Sequence, residues 1–196
     1  MAAWANGQEY RYRGRPERTS WSDPDASWGH RSAVSTRPRG GFYGYRLHLT
    51  VRTQTDLPLA WEVRAGKDAD MRVVEPLLKQ LADRGIGPAS VTMDRGYDYQ
   101  AVYQACQTHR ALAVVAARTN SSTGEEPIDR DSNTFKRLYP ARSAVERELG
   151  RLKHQIGLTP LRLRRPERVR FHADLCLLTR LALAATAASI ELPNLV

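Results

Sequence analysis

Hydrophobic and polar positions alternate along the first strongly patterned stretch of the chain. Large apolar and polar residues alternate in "FYGYRLHLTV", which begins at Phe42, and "PLAWEVRA" follows after the turn-forming "TQTDLP". Alternation with a period of two is typical of a half-buried strand, and two such runs joined by a short turn predict a hairpin. We therefore expect a β-hairpin over residues 43–65.

The pattern changes to a helical period after this hairpin. In "DADMRVVEPLLKQLADRG", apolar residues recur three and four positions apart from Met71 to Leu81. Asp68 or Asp70 is a candidate N-cap for this helix, and Gly85 is a candidate C-cap.

The next segments alternate between strand and helix. The short apolar run "ASVTM" predicts a buried strand that ends at Asp94, and it is followed by a predicted helix over 99–108 and a strand over 111–117. Residues 118–137 are polar and contain Gly, Pro, Asn and Asp, which favours a loop. The order β-β-α-β-α-β-loop-α-α predicts an α/β fold, a mixed sheet with helices packed on it.

The two ends of the chain differ in composition and in hydrophobic periodicity. Residues 1–41 are rich in Arg, Gly, Ser, Trp and Pro without a sustained period, which indicates an irregular basic arm before a domain over 42–190. A last helix is expected over 167–189, closing the core. Its apolar stretch contains Asp174 and Arg180, which favours a packed amphipathic helix over a membrane span.

The stretch 138–157, "LYPARSAVERELGRLKHQIG", predicts one helix with two neighbouring stripes. At 100° per residue, Tyr139, Arg142, Glu146 and Lys153 share a stripe about 60° wide, beside an apolar stripe. An Arg and a Glu four residues apart are also a common pair on ordinary surface helices, so the spacing alone leaves both interpretations open.

Asp94 adds a second carboxylate to this picture. It lies at the predicted end of a strand, where ligand chemistry gathers in open α/β sheets, although many such strands end in a structural Asp. Asp94 and Glu146, 52 residues later in a basic chain, suggest a divalent-metal site for phosphoryl transfer on DNA.

The net charge indicates the class of binding partner, and the cysteine content bears on the cellular compartment. The chain of 196 residues carries a net charge of +9, and residues 136–180 hold 12 Lys/Arg against 4 Asp/Glu, which favours a polyanion such as nucleic acid. Cys106 and Cys176 have no CxxC partner, so neither zinc nor a disulfide framework is indicated. No secretion leader opens the chain, and we expect a cytoplasmic protein without a membrane segment.

Several motifs resemble those of DDE insertion-sequence transposases. "VTMDRGYD" resembles their second-aspartate motif, and Tyr139, Arg142, Glu146 and Lys153 match their Y-x2-R-x3-E-x6-K signature at every interval. "YGYRLHL" and "WEVRAGKDADMRVVEPLL" resemble two further strands and a helix of that family, so the resemblance covers roughly residues 40–185.

The resemblance implies an RNase H-like catalytic domain that cleaves and joins DNA at transposon ends with Mg²⁺ (or Mn²⁺). It implies that Asp94 and Glu146 are catalytic and ligate the metal, and that Tyr139, Arg142 and Lys153 contact double-stranded DNA of the transposon ends. It further implies a bacterial protein that associates with the nucleoid and forms a homodimer in a synaptic complex.

The first aspartate of that family has no clear counterpart. No apolar strand ending in Asp precedes Phe42, and the upstream aspartates, Asp23 and Asp25, lie in the Pro-flanked segment "SDPDASWG", which favours a turn or structural role. We therefore expect an N-terminally truncated domain that lacks its first strand and has low activity alone, since two-metal sites need about three carboxylates.

Three functions stay open on the sequence. The first is a DDE transposase, and the second is a catalytically inactive remnant that acts only as a DNA-binding module. The third is an RNase H-like nuclease such as a resolvase, which needs no Tyr-Arg-Glu-Lys line. The basic segment "LRLRRPERVR" (161–170) is either a phosphate-contacting surface or a merely solvated face.

Overall fold

The computed structural model describes residues 2–4, 23–31, 40–118 and 127–191. Within these ranges, small sheets are flanked by helices, which confirms the predicted mixed α/β class. The strands are β1 (Ala2–Trp4), β2 (Ser27–Arg31), β3 (Gly40–Arg52), β4 (Leu57–Ala65), β5 (Ser90–Met93) and β6 (Leu112–Val115). The α-helices are α1 (Val74–Asp83), α2 (Gln100–Thr108), α3 (Asn133–Leu138), α4 (Ser143–His154) and α5 (Pro166–Glu191).

The chain divides into two compact units. The first comprises Met1–His48, Glu62–Asp68 and Leu149–Val196, and the second comprises Leu49–Trp61 and Ala69–Glu148. The expected boundary between an arm over 1–41 and a domain over 42–190 stays a prediction.

The predicted hairpin is formed by β3 and β4. β4 pairs with β3, while β1 and β2 both pair with β3 in antiparallel register, with Trp4 opposite Gly44 and Trp28 opposite Tyr43. Residues 27–31 were expected to be irregular, and the structure corrects this, because their backbone completes the ladder of β3. Most of the rest of the expected arm lies outside the described residues.

The second sheet consists of β5 and β6, which run parallel with Ser90 opposite Leu112 and Met93 opposite Val115. The described strands therefore form two separate sheets, where we expected one mixed sheet. None of the described strands before β3 ends in an aspartate, and no described strand joins β5 to β3.

Helix α1 buries the apolar positions that predicted it. Val74, Leu77, Leu78 and Leu81 lie in one core with residues of α2 and β6. Gly85 ends this helix as predicted, with a φ of 71°, and the bonds from its amide to Ala82 O and from the Ile86 amide to Leu81 O form a Schellman motif. The predicted N-caps are wrong, because Ala69 occupies the N-cap position of the 3₁₀ turn that leads into α1.

The predicted helix over 138–157 is divided into three pieces. Helix α3 ends at Leu138, a 3₁₀ turn covers Tyr139–Arg142, and α4 runs over Ser143–His154. Pro140 explains the break, since it has no amide hydrogen to donate to the preceding turn. The predicted loop over 118–137 is also corrected, because it contains α3, whose N-cap Ser132 accepts a hydrogen bond from the Phe135 amide.

Helix α5 has the predicted extent, but it closes the core only along part of its length. The buried side chains Val169, Ala173, Cys176 and Leu177 all lie in its first half. The same half also carries the exposed apolar side chains Phe171, Leu175 and Leu178, and Leu183 is exposed in the second half. The segment Pro166–Ser189 is long and apolar enough to cross a membrane, and 17% of its most apolar stretch is buried. Length and composition alone are weak support for a span.

Candidate functional site

Asp94 follows β5 directly, as the sequence predicted. Its carbonyl accepts a hydrogen bond from the Tyr97 amide, which closes the short 3₁₀ turn Arg95–Tyr97. The Asp94 side chain is 64% exposed. Because β5 and β6 are parallel, Asp94 lies at the carboxyl edge of their sheet, with its carboxylate available to a ligand.

Arg142 links Asp94 to Glu146. Its Nη1 donates a hydrogen bond to Glu146 Oε1 at 2.9 Å and lies 3.6 Å from Asp94 Oδ1. Two carboxylates that are 52 residues apart in the chain therefore contact the same guanidinium nitrogen. The i,i+4 pair on the helix was foreseen from the sequence, but the contact with Asp94 was not.

The charges around Arg142 keep its guanidinium protonated. Burial lowers the pKa of Arg142, but the hydrogen bond to Glu146 and the charges of Asp94 and Glu146 outweigh this effect, so the pKa is raised overall. The Arg142 side chain is 35% exposed, and that of Glu146 is 67% exposed. Ion pairs this open to water contribute only about 0–1 kcal/mol each, so another cation or anion can replace either partner.

Tyr139 lies against Arg142 because the backbone between them is a 3₁₀ turn. Side chains three residues apart eclipse in a 3₁₀ helix, and the Arg142 guanidinium carbon lies 5.6 Å from the centroid of the Tyr139 ring. The other neighbour of this ring is Phe135, which stacks on it at 5.0 Å between centroids. The sequence placed Tyr139 and Arg142 on one α-helical line, and the structure brings them together by different geometry.

Lys153 lies in the last turn of α4 and is half-buried. It belongs to the first compact unit, whereas Tyr139, Arg142 and Glu146 belong to the second. Its grouping with the other three residues rests on the sequence signature.

Arg147 ties the first turn of α4 to the β3–β4 hairpin, which sequence reasoning missed. Its Nη2 and Nε donate to the two carboxylate oxygens of Asp56 at 2.7 and 2.9 Å, and its Nη1 donates to Ser143 Oγ at 2.8 Å. The hydrogen bond to Asp56 raises the pKa of Arg147. This two-pronged contact fixes the helix next to Glu146. Local sequence patterns do not predict it, because Asp56 precedes Arg147 by 91 residues.

Asp98 organises the segment after Asp94, and this role was also missed. Its buried carboxylate accepts hydrogen bonds from the hydroxyl of Tyr103, from the Arg118 amide at 2.8 Å and from Arg130 Nη2 at 3.1 Å. Arg130 Nε also donates to Val115 O at 3.1 Å, so the network connects the ends of β5 and β6. The only sequence signal was an aspartate in "RGYD" that has no obvious partner nearby.

Burial and the Asp98 hydrogen bond raise the pKa of Tyr103 to about 12, with burial the larger cause. Arg130 lowers this pKa, but its effect is smaller. The Tyr103 phenol is therefore protonated and donates its hydrogen to Asp98 across the physiological range.

The donor set at Asp94 and Glu146 fits one hard cation. Mg²⁺ is commonly bound through one or two carboxylates together with waters and phosphate oxygens. Within the described ranges, no group of three or more His, Cys, Asp or Glu side chains is placed to hold a metal. Asp94 and Glu146 offer two carboxylates near one point, and a third acid for a two-metal site is not found among the described residues.

Asp23, one of the two upstream aspartates, has a different role. Its carboxylate is buried and accepts hydrogen bonds from the Tyr45 hydroxyl at 3.0 Å and from the Arg165 amide at 2.9 Å. Asp25 is exposed, and its amide donates to Asp23 Oδ1. The Asp-Pro-Asp segment thus forms a structural turn, in agreement with the expectation that favoured such a role.

Comparison with known proteins supports one family. The family model for the transposase DDE domain matches residues 11–182. No curated protein and no solved structure gives a significant match. Because the match covers most of the chain, this chain belongs to the family of transposase DDE domains.

Proposed function

We propose that this transposase domain cleaves DNA strands at the ends of an insertion sequence and transfers them to a target, with low activity in this chain alone because the family's first aspartate has no counterpart among the described residues. The observation that carries the proposal is the shared contact of Asp94 and Glu146 with one guanidinium group. That contact brings two carboxylates from distant parts of the sequence to one exposed point. An exposed pair of acids beside a basic side chain suits a phosphodiester substrate and its counter-cation.

Asp94 and Glu146 are the residues that would hold Mg²⁺ (or Mn²⁺). Such a metal, when bound, supplies charge stabilisation at the phosphodiester oxygens and activates the attacking hydroxyl. The carboxylates supply hard oxygen ligands and fix the position at the edge of β5, while the Arg147–Asp56 contact holds the helix that carries Glu146.

Tyr139, Arg142 and Lys153 would contact the transposon-end DNA. The planar guanidinium of Arg142 is suited to grip a phosphate with two donors, and Lys153 adds a point charge. The Tyr139 ring, stacked on Phe135, offers a flat surface for a sugar or a base. Because Arg142 is shared with Asp94 and Glu146, a phosphate that binds it weakens its hold on both carboxylates.

The partners follow from the same proposal. The net charge of +9 supports binding of double-stranded DNA, namely the transposon ends and the target. A homodimer in a synaptic complex would hold two ends together. We place the protein in the bacterial cytoplasm, associated with the nucleoid when it is bound to DNA.

A second candidate function has its own supporting observation. The described residues offer two clustered carboxylates and not three. A domain with two acids suits a remnant that binds DNA without cutting it, in competition with an intact transposase. The two candidates differ only in catalysis, so a cleavage assay separates them.

The test is strand cleavage and transfer by the full chain on duplexes that carry the ends of its own element, with Mg²⁺ or Mn²⁺. The variants are Asp94→Asn and Glu146→Gln, and the matched control is Asp83→Asn, an exposed acid that pairs with Lys79. The transposase proposal expects slow but detectable cleavage by the wild type and the control and none by the two variants. Binding without cleavage supports the remnant, and neither binding nor cleavage contradicts both.

A further inference from the structure

A second basic surface lies outside the Tyr-Arg-Glu-Lys line, on the segment that leads from α4 into the first turn of α5. We call residues 161–168, "LRLRRPER", the arginine connector. Its four arginines, Arg162, Arg164, Arg165 and Arg168, are all exposed. Glu167 is the single acid among them, so the connector alone carries a net charge of +3.

The apolar residues of the arginine connector face a core. Leu161 is 1% exposed and packs with Ala26, Tyr45 and Val169, while Leu163 packs partly against the same cluster. The leucines alternate with Arg162 and Arg164, so anchoring Leu161 and Leu163 directs the two arginines away from the core. The exposure of the arginines thus follows from packing and not from a loose loop.

A buried carboxylate fixes the backbone of the arginine connector at Arg165. Asp23 is fully buried and accepts hydrogen bonds from the Arg165 amide and from the Tyr45 hydroxyl. Arg165 itself has a φ of 71°, a left-handed conformation that is costly for a residue with a side chain. The fold holds this strained position by a charge-assisted hydrogen bond, and the side chains on either side of it gain a defined direction.

Basic residues outnumber acidic ones on the arginine connector by four to one. Arg170, two residues beyond the connector, donates to Glu62 Oε2 at 3.0 Å, so that pair adds no net charge to this surface. A rigid, outward-facing row of arginines in excess over acids is suited to a polyanion with regularly spaced charges.

We infer that the arginine connector is a second DNA-binding surface, which holds the phosphate backbone of duplex DNA by charge. Its ligand class rests on the proposed function, but it requires neither the metal nor Asp94 and Glu146. A protein that contacts phosphates releases bound counterions from DNA, so the affinity falls with salt in proportion to the number of contacts. The inference therefore has a readout that is independent of cleavage.

The experiment measures the salt dependence of binding to a short fluorescein-labelled duplex of mixed sequence by the full chain. The test variant is Arg162→Gln/Arg164→Gln/Arg168→Gln. Its charge-matched control is Lys79→Gln/Arg84→Gln/Arg110→Gln, three exposed residues within α1, just after α1 and just after α2. A third protein, Arg162→Lys/Arg164→Lys/Arg168→Lys, keeps the charge of the connector.

We expect the slope of log affinity against log salt to fall by about two to three in the glutamine variant, at about 0.9 per lost phosphate contact. The control and the lysine variant are expected to keep the wild-type slope. A glutamine variant that keeps the same slope as the control overturns the inference and leaves the proposed cleavage untouched. A wild-type chain that binds no DNA overturns both the inference and the proposed function.

Discussion

Asp94 and Asp98 are four residues apart in "DRGYD", and their side chains lie in opposite environments, one exposed and the other buried. The Asp98 side chain is fully buried and receives hydrogen bonds from Tyr103, Arg118 and Arg130. The Asp94 side chain is 64% exposed, and Arg142 approaches it at 3.6 Å. A carboxylate whose partners are all internal maintains the structure, whereas one held by a single replaceable cation is free to act on a ligand.

The largest difference is expected in catalysis. Asp94→Asn removes a proposed metal ligand, and because a bound metal supplies several kcal/mol of transition-state stabilisation, cleavage should fall by on the order of 10³-fold. The measurement is the initial rate of strand cleavage with Mg²⁺ on the element's own ends. A variant that retains most of the wild-type rate contradicts the role of Asp94.

Replacing Asp98 should mainly reduce stability. Asp98→Ala leaves the half-buried Arg130 and the buried Tyr103 without this acceptor and should cost about 3 kcal/mol of unfolding free energy. Asp94→Ala is the matched control and should cost less than about 0.5 kcal/mol, since its side chain is exposed. Urea unfolding of the two variants measures the difference, and equal losses contradict the contrast between the two acids.

The Asp98 network also predicts a pH dependence in the alkaline range. Because the pKa of Tyr103 is raised from 10.0 to about 12 in the folded protein, the protonated phenol stabilises the fold fully below pH 10. This contribution is lost as the pH rises through 12. The wild type should therefore lose about 1–2 kcal/mol more than Tyr103→Phe between about pH 9 and about pH 12.

Urea unfolding of the wild type and Tyr103→Phe at both pH values provides the comparison. Burial also raises the pKa of Tyr45 and of Cys106, and these groups titrate in both proteins, so the difference between the proteins isolates Tyr103. Equal losses of unfolding free energy in the wild type and Tyr103→Phe at high pH contradict the assignment of this pH dependence to Tyr103.

The smallest effect concerns Arg142, the side chain that pairs with Asp94. Arg142→Gln removes two solvent-exposed ion pairs, worth about 1 kcal/mol together, so Mn²⁺ alone should bind about fivefold more tightly. DNA should bind less tightly to the same variant. Titration calorimetry with Mn²⁺ measures the first effect against the charge-matched Arg110→Gln, and weaker Mn²⁺ binding to Arg142→Gln contradicts the competition.

The sequence predicted those features that depend on local patterns. The period-two and helical patterns placed the hairpin and α1, and Gly85 marked the end of that helix correctly. Asp94 was placed at its strand end, and the Arg142–Glu146 pair follows from their i,i+4 spacing. Each of these features requires only neighbours along the chain.

The features that were missed depend on distant partners or on a single local exception. Strand β2 contains Gly29, where a Cβ would lie 2.4 Å from the Phe42 ring, so its packing requires a residue that strand propensity disfavours. Pro140 divides the predicted helix, and only the resulting 3₁₀ turn stacks Arg142 over Tyr139. The contacts of Asp98 with Arg130 and of Asp56 with Arg147 span 32 and 91 residues, beyond any local pattern.

The central claim is that Asp94 and Glu146 together form one cation site, and Mn²⁺ binding to the full chain tests it most directly. Electron paramagnetic resonance counts bound Mn²⁺ for the wild type, Asp94→Asn, Glu146→Gln and the exposed-acid control Asp83→Asn. The account predicts one bound ion in the wild type and the control, and its loss in each of the two site variants. Binding that is unchanged in both site variants contradicts it.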